Sequence, residues 1–322
     1  MPANLTPMYL KAEEGFRQAK TVAEKIAALE EMSATIPKHK GTEKMRADIR
    51  RRLAKLREAG EKAKGRSGID AFYVEKHGAG QFVLIGTPNC GKSALVGALT
   101  KAHVTVAPYP FSTHGPVPGM MNYEDVQVQL VDMPPVTAEG FVPGMIGAVR
   151  NADGLIICID LAADVLQEMD ICLGLLDARG LVPPGRPAPE GGAAKRMLIV
   201  GTKLDVPGAA ENFQALRELY RDVPMLATSA EKGDHLGEIP RMCFRMLDVV
   251  RIYSKEPGKP PDKDRPFVLP RGSTVLDLAA AIHKDMATSL KRARIWGANT
   301  YEGAPAPRDH VLSDRDIVEL HV

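Results

Sequence analysis

The chain has 322 residues, 44% hydrophobic and 25% charged, with a net charge of +2. That is enough for one large core plus one or two small domains, and the near-neutral balance does not by itself point to a nucleic-acid partner. No run of about eighteen apolar residues could span a membrane. The opening MPANLTPMYLKAEEGF lacks a basic start followed by a hydrophobic stretch, and Cys90, Cys158, Cys172 and Cys243 show no metal-ligand spacing, so a cytoplasmic protein with reduced thiols is predicted.

Residues 1–66 read as helical and basic. Thr6-Pro7 is a helix-start signal, Thr21 to Glu24 a capping box, and Gly41-Thr42 opens a third segment whose Met45, Ile49, Leu53 and Leu56 share one helix face. From Lys38 to Arg66 the chain carries twelve basic residues against four acids. That excess fits either a solvated helical surface or a phosphate-backbone contact, for which Arg50, Arg51 and Arg52 are the best candidates. Gly65 to Gly68 reads as a linker.

Between residues 69 and 255 short β-branched runs alternate with helical segments, the signature of a parallel sheet with crossover helices. Strands are predicted at Phe82–Ile85, Val126–Val131, Gly154–Ile159, Met197–Val200 and Met225–Ala227. Helices are predicted at Lys92–Leu99, Ala163–Leu176, Ala209–Tyr220 and Glu238–Val250, where Met242 and Met246 read as packing. The Pro- and Gly-rich Val182–Gly192 is a surface loop. A second linker, Glu256–Asp264, precedes a third part at 264–322, in which Val275, Leu276, Leu278 and Ala279 to Ile282 form a helix packed on a sheet, ending in the strand-like alternation of 316–322.

The run Gly86, Thr87, Pro88, Asn89, Cys90, Gly91, Lys92, Ser93 fits G-x-x-x-x-G-K-[ST] and lies after an apolar strand and before a helix. Glycines at both ends let the backbone N–H groups surround phosphates. Lys92 brings positive charge to the β- and γ-phosphates, Ser93 can ligate Mg²⁺, and the helix N-terminus, with Ala94 in its first turn, adds a favourable dipole. Asp132 ends a buried strand and can present a carboxylate on the Mg²⁺ side. Thr202-Lys203-Leu204-Asp205 follows another buried strand, and the Asp205 carboxylate can accept both the N1–H and the N2 amino protons of guanine. Ser229 and Ala230 close the next strand, where a backbone amide meets the guanine oxygen. Each motif alone has a bland alternative as a turn or cap; their order and strand-end placement carry the reading.

Together these residues resemble the Obg superfamily of GTPases, and most closely the developmentally regulated GTP-binding (DRG) family. The resemblance rests on PKHKGTEKMRADIRRRLAKLR at 37–57, on APYPFSTHGPVPGMMNYEDVQVQLVDMP at 107–134, and on RPFVLPRGSTVLDLAAAIHKDM, RARIWG and RDHVLSDRDIVELHV within 265–322, which is similar to a TGS domain of β-grasp type. It implies an α/β fold: an N-terminal helical segment at 1–66, a P-loop NTPase G domain at 69–255 and a C-terminal TGS domain at 264–322. It further implies that Thr113 is the switch I threonine that ligates Mg²⁺ and senses the γ-phosphate, and that Asp132 is the switch II aspartate. Asn89 matches the asparagine that holds K⁺ in potassium-activated relatives, although a turn role for it is equally open.

Three residues depart from the family pattern. Pro135 stands where a glycine N–H donates to the γ-phosphate, and proline has no N–H. Val136 stands where many GTPases orient the attacking water with glutamine, which implies slow intrinsic hydrolysis. Thr202 replaces the usual asparagine. The resemblance thus implies a slow GTPase switch using Mg²⁺, with K⁺ as a second candidate ion, Lys92, Thr113 and Asn89 as catalytic candidates and a ribosome or structured RNA as partner; the alternative is a nucleotide-binding scaffold with little hydrolysis. In the TGS-like part, Trp296 and His283 are candidates for RNA contact, with core packing the stronger reading of Trp296.

Overall fold

A computed structural model describes residues 22–36, 72–100, 115–297 and 301–322, with Met8, Ala12, Phe16, Thr42, Met45, Asp48, Ile49 and 51–53 besides. Met1–Ala71 and Phe72–Val322 are two compact units. In the first, helix α1 (Val22–Thr35) buries Leu29 and Met32, which cluster with Ala12, Ile36 and Ile49. Met45 and Leu53 pack on that cluster, so the stripe read from their spacing is the buried face. Thr6, Pro7, Thr21, Gly41, Leu56, the Gly65 to Gly68 linker and every basic residue from Lys38 to Arg66 except Arg51 and Arg52 lie outside the described residues.

The second unit begins with a six-stranded sheet in the order β2-β3-β1-β4-β7-β8. Its strands are β1 (Gln81–Ile85), β2 (Val117–Tyr123), β3 (Val126–Asp132), β4 (Gly154–Asp160), β7 (Arg196–Thr202) and β8 (Met225–Ala227), while β5 (Leu181–Val182) and β6 (Ala193–Ala194) form a small separate pair. Only β2 runs antiparallel to its neighbour. All five residues of β1 and all seven of β4 are buried, as expected when helices cover both faces of a parallel sheet. Alternation divides β1 between the two faces, Val83 and Ile85 joining one core cluster, Phe82 and Leu84 the other. The covering helices are α2 (Lys92–Thr100), α3 (Met145–Asn151), α4 (Val165–Asp177), α5 (Ala209–Leu219) and α6 (Glu238–Leu247).

The C-terminal part is a second sheet, β10-β9-β13-β11-β12, carrying helices α7 (Val275–Ile282) and α8 (Lys284–Ser289). Its strands are β9 (Val249–Lys255), β10 (Phe267–Pro270), β11 (Arg292–Trp296), β12 (Ala304–Ala306) and β13 (Asp316–His321). Helix α7 opens with a full capping box between Thr274 and Asp277 and buries Val275, Leu278 and Ala279, whereas Leu276, Ala280 and Ala281, expected on the packed face, are exposed.

Three expectations differ from the structure. The helix predicted over Glu238–Val250 stops at Leu247 because Asp248 adopts a left-handed conformation, φ 54°. The chain then turns directly into β9, which pairs with β10 and β13. The Glu256–Asp264 segment is therefore a connection inside the C-terminal sheet, and that sheet draws its first strand from ahead of the expected boundary at 264. Trp296 is half-buried rather than in the core: the Lys255 ammonium lies 4.9 Å from its ring centre. His283 caps α8, its Nδ1 accepting from the Asp285 N–H at 3.2 Å. Among the described residues no helix is long and apolar enough to cross a membrane.

The two sheets meet around Arg251, whose side chain is 3% exposed. Its guanidinium forks onto Asp314, with Nε donating at 3.1 Å and Nη2 at 2.6 Å, and Nη1 reaches Asp125 at 2.7 Å and Glu124. Arg315 also bonds Glu124, at 2.6 Å, and the Tyr253 hydroxyl donates to Asp125. The guanidinium carbon sits 4.9 Å from the Phe244 ring centre, and Phe244 stacks on Tyr123. Glu124 and Asp125 form the bend between β2 and β3, so the C-terminal sheet holds the tip of that hairpin.

Candidate nucleotide-binding site

The sequence motifs converge on one edge of the large sheet, at the carboxyl ends of β1, β3, β4, β7 and β8, where open α/β sheets bind their ligands. The phosphate loop, Gly86 to Ser93, leaves β1 and enters α2. Two glycines make its curl feasible. A Cβ on Gly86 would lie 2.6 Å from the Cys158 carbonyl oxygen, and Gly91 has φ +87°. Asn89 is exposed in a left-handed conformation, φ 63°. Lys92 is buried, and its Nζ donates to the carbonyl oxygens of Gly86 and Thr87, each at 2.9 Å. A cleft of 510 Å³ lies over this loop, and Asp132, Pro134 and Pro135 also line it.

The Ser93 hydroxyl donates to Asp132 Oδ2 at 2.5 Å, across the register that pairs Leu84 with Asp132. The second carboxylate oxygen, Oδ1, is buried without a hydrogen-bond partner, and burial pushes the Asp132 carboxyl above its ordinary range. Thr113, the third expected member of this group, lies outside the described residues.

Pro135 is exposed beside the cleft. Val136 is wholly buried in the core with Val83 and Ile85, and its N–H donates to the Gly86 carbonyl at 3.0 Å. The segment after Asp132 is thus tied to the phosphate loop through main chain, and the side chain at 136 points away from solvent.

Thr202 is 4% exposed, and its hydroxyl is placed to bond the Cys90 carbonyl at 2.7 Å and the Ile159 carbonyl at 3.1 Å. It therefore ties the base-side loop to the phosphate loop from a shorter side chain than asparagine. Thr202→Val, which keeps the shape and removes the hydroxyl, is expected to weaken GDP binding about tenfold, since a buried carbonyl loses its donor at a cost of about 1–3 kcal/mol. Titration calorimetry of both proteins checks this.

Lys203 takes φ 58° and its ammonium bonds Asp160 Oδ2 at 2.5 Å. Asp205 is half-exposed, and the Ser229 hydroxyl first, with its own main chain and Lys232, keeps its carboxyl below the usual range and hence ionised. Ser229 is fully buried, the Thr228 N–H donates to the Gly201 carbonyl at 2.7 Å, and the Leu204 N–H to the Thr228 carbonyl at 3.1 Å. These bonds hold the Ser229-Ala230 turn against the Asp205 loop.

One participant carries no sequence signature. Glu168, in the first turn of α4, accepts the Thr87 hydroxyl and the Asp160 N–H. Nothing local marks it beyond the Asp164 N-cap that starts its helix.

Residues 81–180 match the family model described as 50S ribosome-binding GTPase, and residues 250–322 match the TGS domain. The second match begins at β9, in agreement with the sheet. An uncharacterised GTP-binding protein of Methanocaldococcus jannaschii is 27% identical, over 93% of this chain and 92% of its own length. Developmentally-regulated G-protein 2 of Arabidopsis thaliana is also 27% identical, over 93% of this chain and 91% of its own. Among solved structures, a GTP binding protein from Pyrococcus horikoshii shares the fold with a TM-score of 0.52 at 17% identity, over 75% of this chain and 99% of that one. The chain thus joins a P-loop GTPase G domain to a C-terminal TGS domain, and its homologues over most of its length include the developmentally regulated GTP-binding proteins.

Proposed function

We propose that the chain binds GTP and GDP at this edge and hydrolyses GTP with water to GDP and phosphate, as a slow switch. The observation that supports it most is the convergence, on one sheet edge, of the buried Lys92 ammonium in its loop, the Ser93–Asp132 hydroxyl–carboxylate pair and the ionised Asp205 carboxylate held by Ser229. Lys92 and the loop N–H groups fit the phosphates, and Asp205 fits the donor edge of guanine. The Ser93 hydroxyl and the unpartnered Asp132 oxygen form an all-oxygen donor set that fits Mg²⁺, with Thr113 as the expected third contributor. When bound, that ion would neutralise charge on the phosphate oxygens. Lys92 would hold the phosphates in place, and the Asp132 carboxylate would orient the Ser93 hydroxyl.

Pro135 has no N–H to offer a γ-phosphate, and the buried Val136 has no group to orient water. Both favour a low intrinsic rate, with K⁺ near Asn89 or an outside partner supplying the remainder. The same two residues favour the second reading, a scaffold that binds nucleotide with little turnover.

Single-turnover GTP hydrolysis in magnesium buffer separates the two. It is run with K⁺ or Na⁺, and with or without ribosomal subunits. Phosphate release above the blank in any arm, absent in Lys92→Ala, supports the switch; blank-level release in all of them leaves the scaffold. The ribosome or structured RNA as partner rests on the basic segment at 38–66 and the TGS module. Sedimentation of the full chain with ribosomal subunits, in GDP and in a non-hydrolysable GTP analogue, tests it: pelleting that does not depend on nucleotide argues against a switch read out there. A cytoplasmic setting goes with this reading.

A further inference from the structure

Glu168 lies outside every phosphate- and base-binding motif, yet both of its carboxylate oxygens are engaged at the site. Oε1 accepts the Thr87 hydroxyl at 2.6 Å, and Oε2 accepts the Asp160 N–H at 2.8 Å. Asp160 then passes the connection on. One of its oxygens accepts the Ala162 N–H at 2.9 Å and the other the Lys203 ammonium at 2.5 Å. An unbroken polar chain therefore runs from the phosphate loop, through α4 and the end of β4, to the base-side loop.

Geometry makes Glu168 the centre of that chain. Asp164 caps α4, accepting from the N–H groups of Leu166 and Gln167, and so fixes where the first turn points. A carboxylate in a first helical turn is favoured by the helix dipole. Thr87 is 7% exposed, and its carbonyl is one of the two that hold the Lys92 ammonium. The residue that Glu168 grips by its side chain is thus the one that grips Lys92 by its main chain. Neutral donors occupy both carboxylate oxygens, which meets their hydrogen-bonding need without removing the charge, so the role argued for Glu168 is one of placement and not of attraction to phosphate.

We propose that Glu168 is a positioning residue for guanine-nucleotide binding: it fixes Thr87 and the end of β4 together, so that the phosphate loop and Lys203 keep one spacing. The inference rests on the nucleotide-binding reading of the same site. It also predicts which replacement works. Glutamine can keep both contacts, its carbonyl oxygen taking the Asp160 N–H and its amide donating to the Thr87 hydroxyl oxygen. Alanine keeps neither.

The test measures GDP affinity and the release rate of a fluorescent GDP from the full chain in magnesium buffer, for the parent, Glu168→Ala, Glu168→Gln, Thr87→Val and the double variant Thr87→Val/Glu168→Ala. Glu168→Ala is expected to weaken GDP about tenfold with most of the change in release rate, and Glu168→Gln to recover to within about threefold. The double variant is expected to lose less than the product of the two single losses, because the two residues share one interaction. Should Glu168→Ala not fold, Glu168→Met, which keeps the length of the side chain and removes both contacts, takes its place in the same comparison. A lowered melting temperature with GDP release unchanged, or losses that simply multiply, would overturn the role of Glu168. A parent that binds neither GDP nor GTP would overturn the nucleotide reading itself, and the inference with it.

Discussion

Lys92→Ala is expected to lower GTP affinity by at least about a hundredfold. The ammonium is buried and held by two loop carbonyls at 2.9 Å, so it is already aimed where phosphate oxygens would lie and needs little reorganisation to serve them. Charge-assisted hydrogen bonds contribute about 1.5–3 kcal/mol each, and such an ammonium can serve two phosphate oxygens. Truncation also leaves the Gly86 and Thr87 carbonyls without that donor. Lys92→Arg is expected to fare little better, because a planar fork replaces a compact charge in a cavity shaped by close main-chain contacts. Asp205→Asn should separate the two halves of the site by weakening GTP and GDP while leaving the phosphate contacts intact. Titration calorimetry with GTP, GDP and ATP reads all three variants. Parent-like affinity in Lys92→Ala would mean that the loop cradles no phosphate.

The second large effect concerns stability. Arg251→Ala leaves Glu124, Asp125 and Asp314 facing one another without their shared cation, and opens a void beneath Phe244 and Tyr123. Removing one partner of a buried ion pair costs about 3–5 kcal/mol. Glu124 is 41% and Asp314 33% exposed, so the lower end applies here. Arg251→Met keeps most of the packing and is expected to lose less. Urea unfolding of the three proteins gives the comparison, and midpoints that coincide would show the cluster contributes nothing.

The same cluster sets a pH dependence. The bonds from Arg251 and Arg315 hold the Glu124 carboxyl below its ordinary range. At Asp314 burial pulls upward, but the bonds to Arg251 prevail and its carboxyl is also lowered. A group whose folded pKa is depressed adds stability that is complete above its unfolded value, near 4, and is lost as pH falls through the folded value. The parent is therefore expected to lose stability below about pH 4, and Arg251→Ala to lose less over the same window.

Most of the large sheet is legible in the sequence because its parallel strands are buried on both faces and read as unbroken apolar runs, as Phe82–Ile85 and Gly154–Ile159 do. Strand β2 is not legible. It lies at the sheet edge, contains Pro118 and Gly119, and alternates only loosely in burial. Helix α3 is short and starts from Gly144 with no side-chain cap, leaving no start signal to find. The end of α6 is hidden because Val249 and Val250 continue its apolar pattern; only the left-handed turn at Asp248 breaks it, and aspartate there gives far less warning than glycine would. At the site, residues that act within a motif can be read from spacing, as Lys92, Ser93 and Asp205 can. Glu168 acts across 81 positions of chain to reach Thr87, and contacts of that kind leave no local mark.

The β2–β3 hairpin has its bend clasped at Arg251 and its open end at the cleft, where Val117 pairs with Asp132. Sliding one strand past the other by a single residue would turn every side chain along seven paired positions to the opposite face, so that motion is forbidden. Because β3 is also paired with β1 from Gln129 to Asp132, the cleft end is held by the central sheet, and the hairpin joins the site to the C-terminal sheet through an element fixed at both ends.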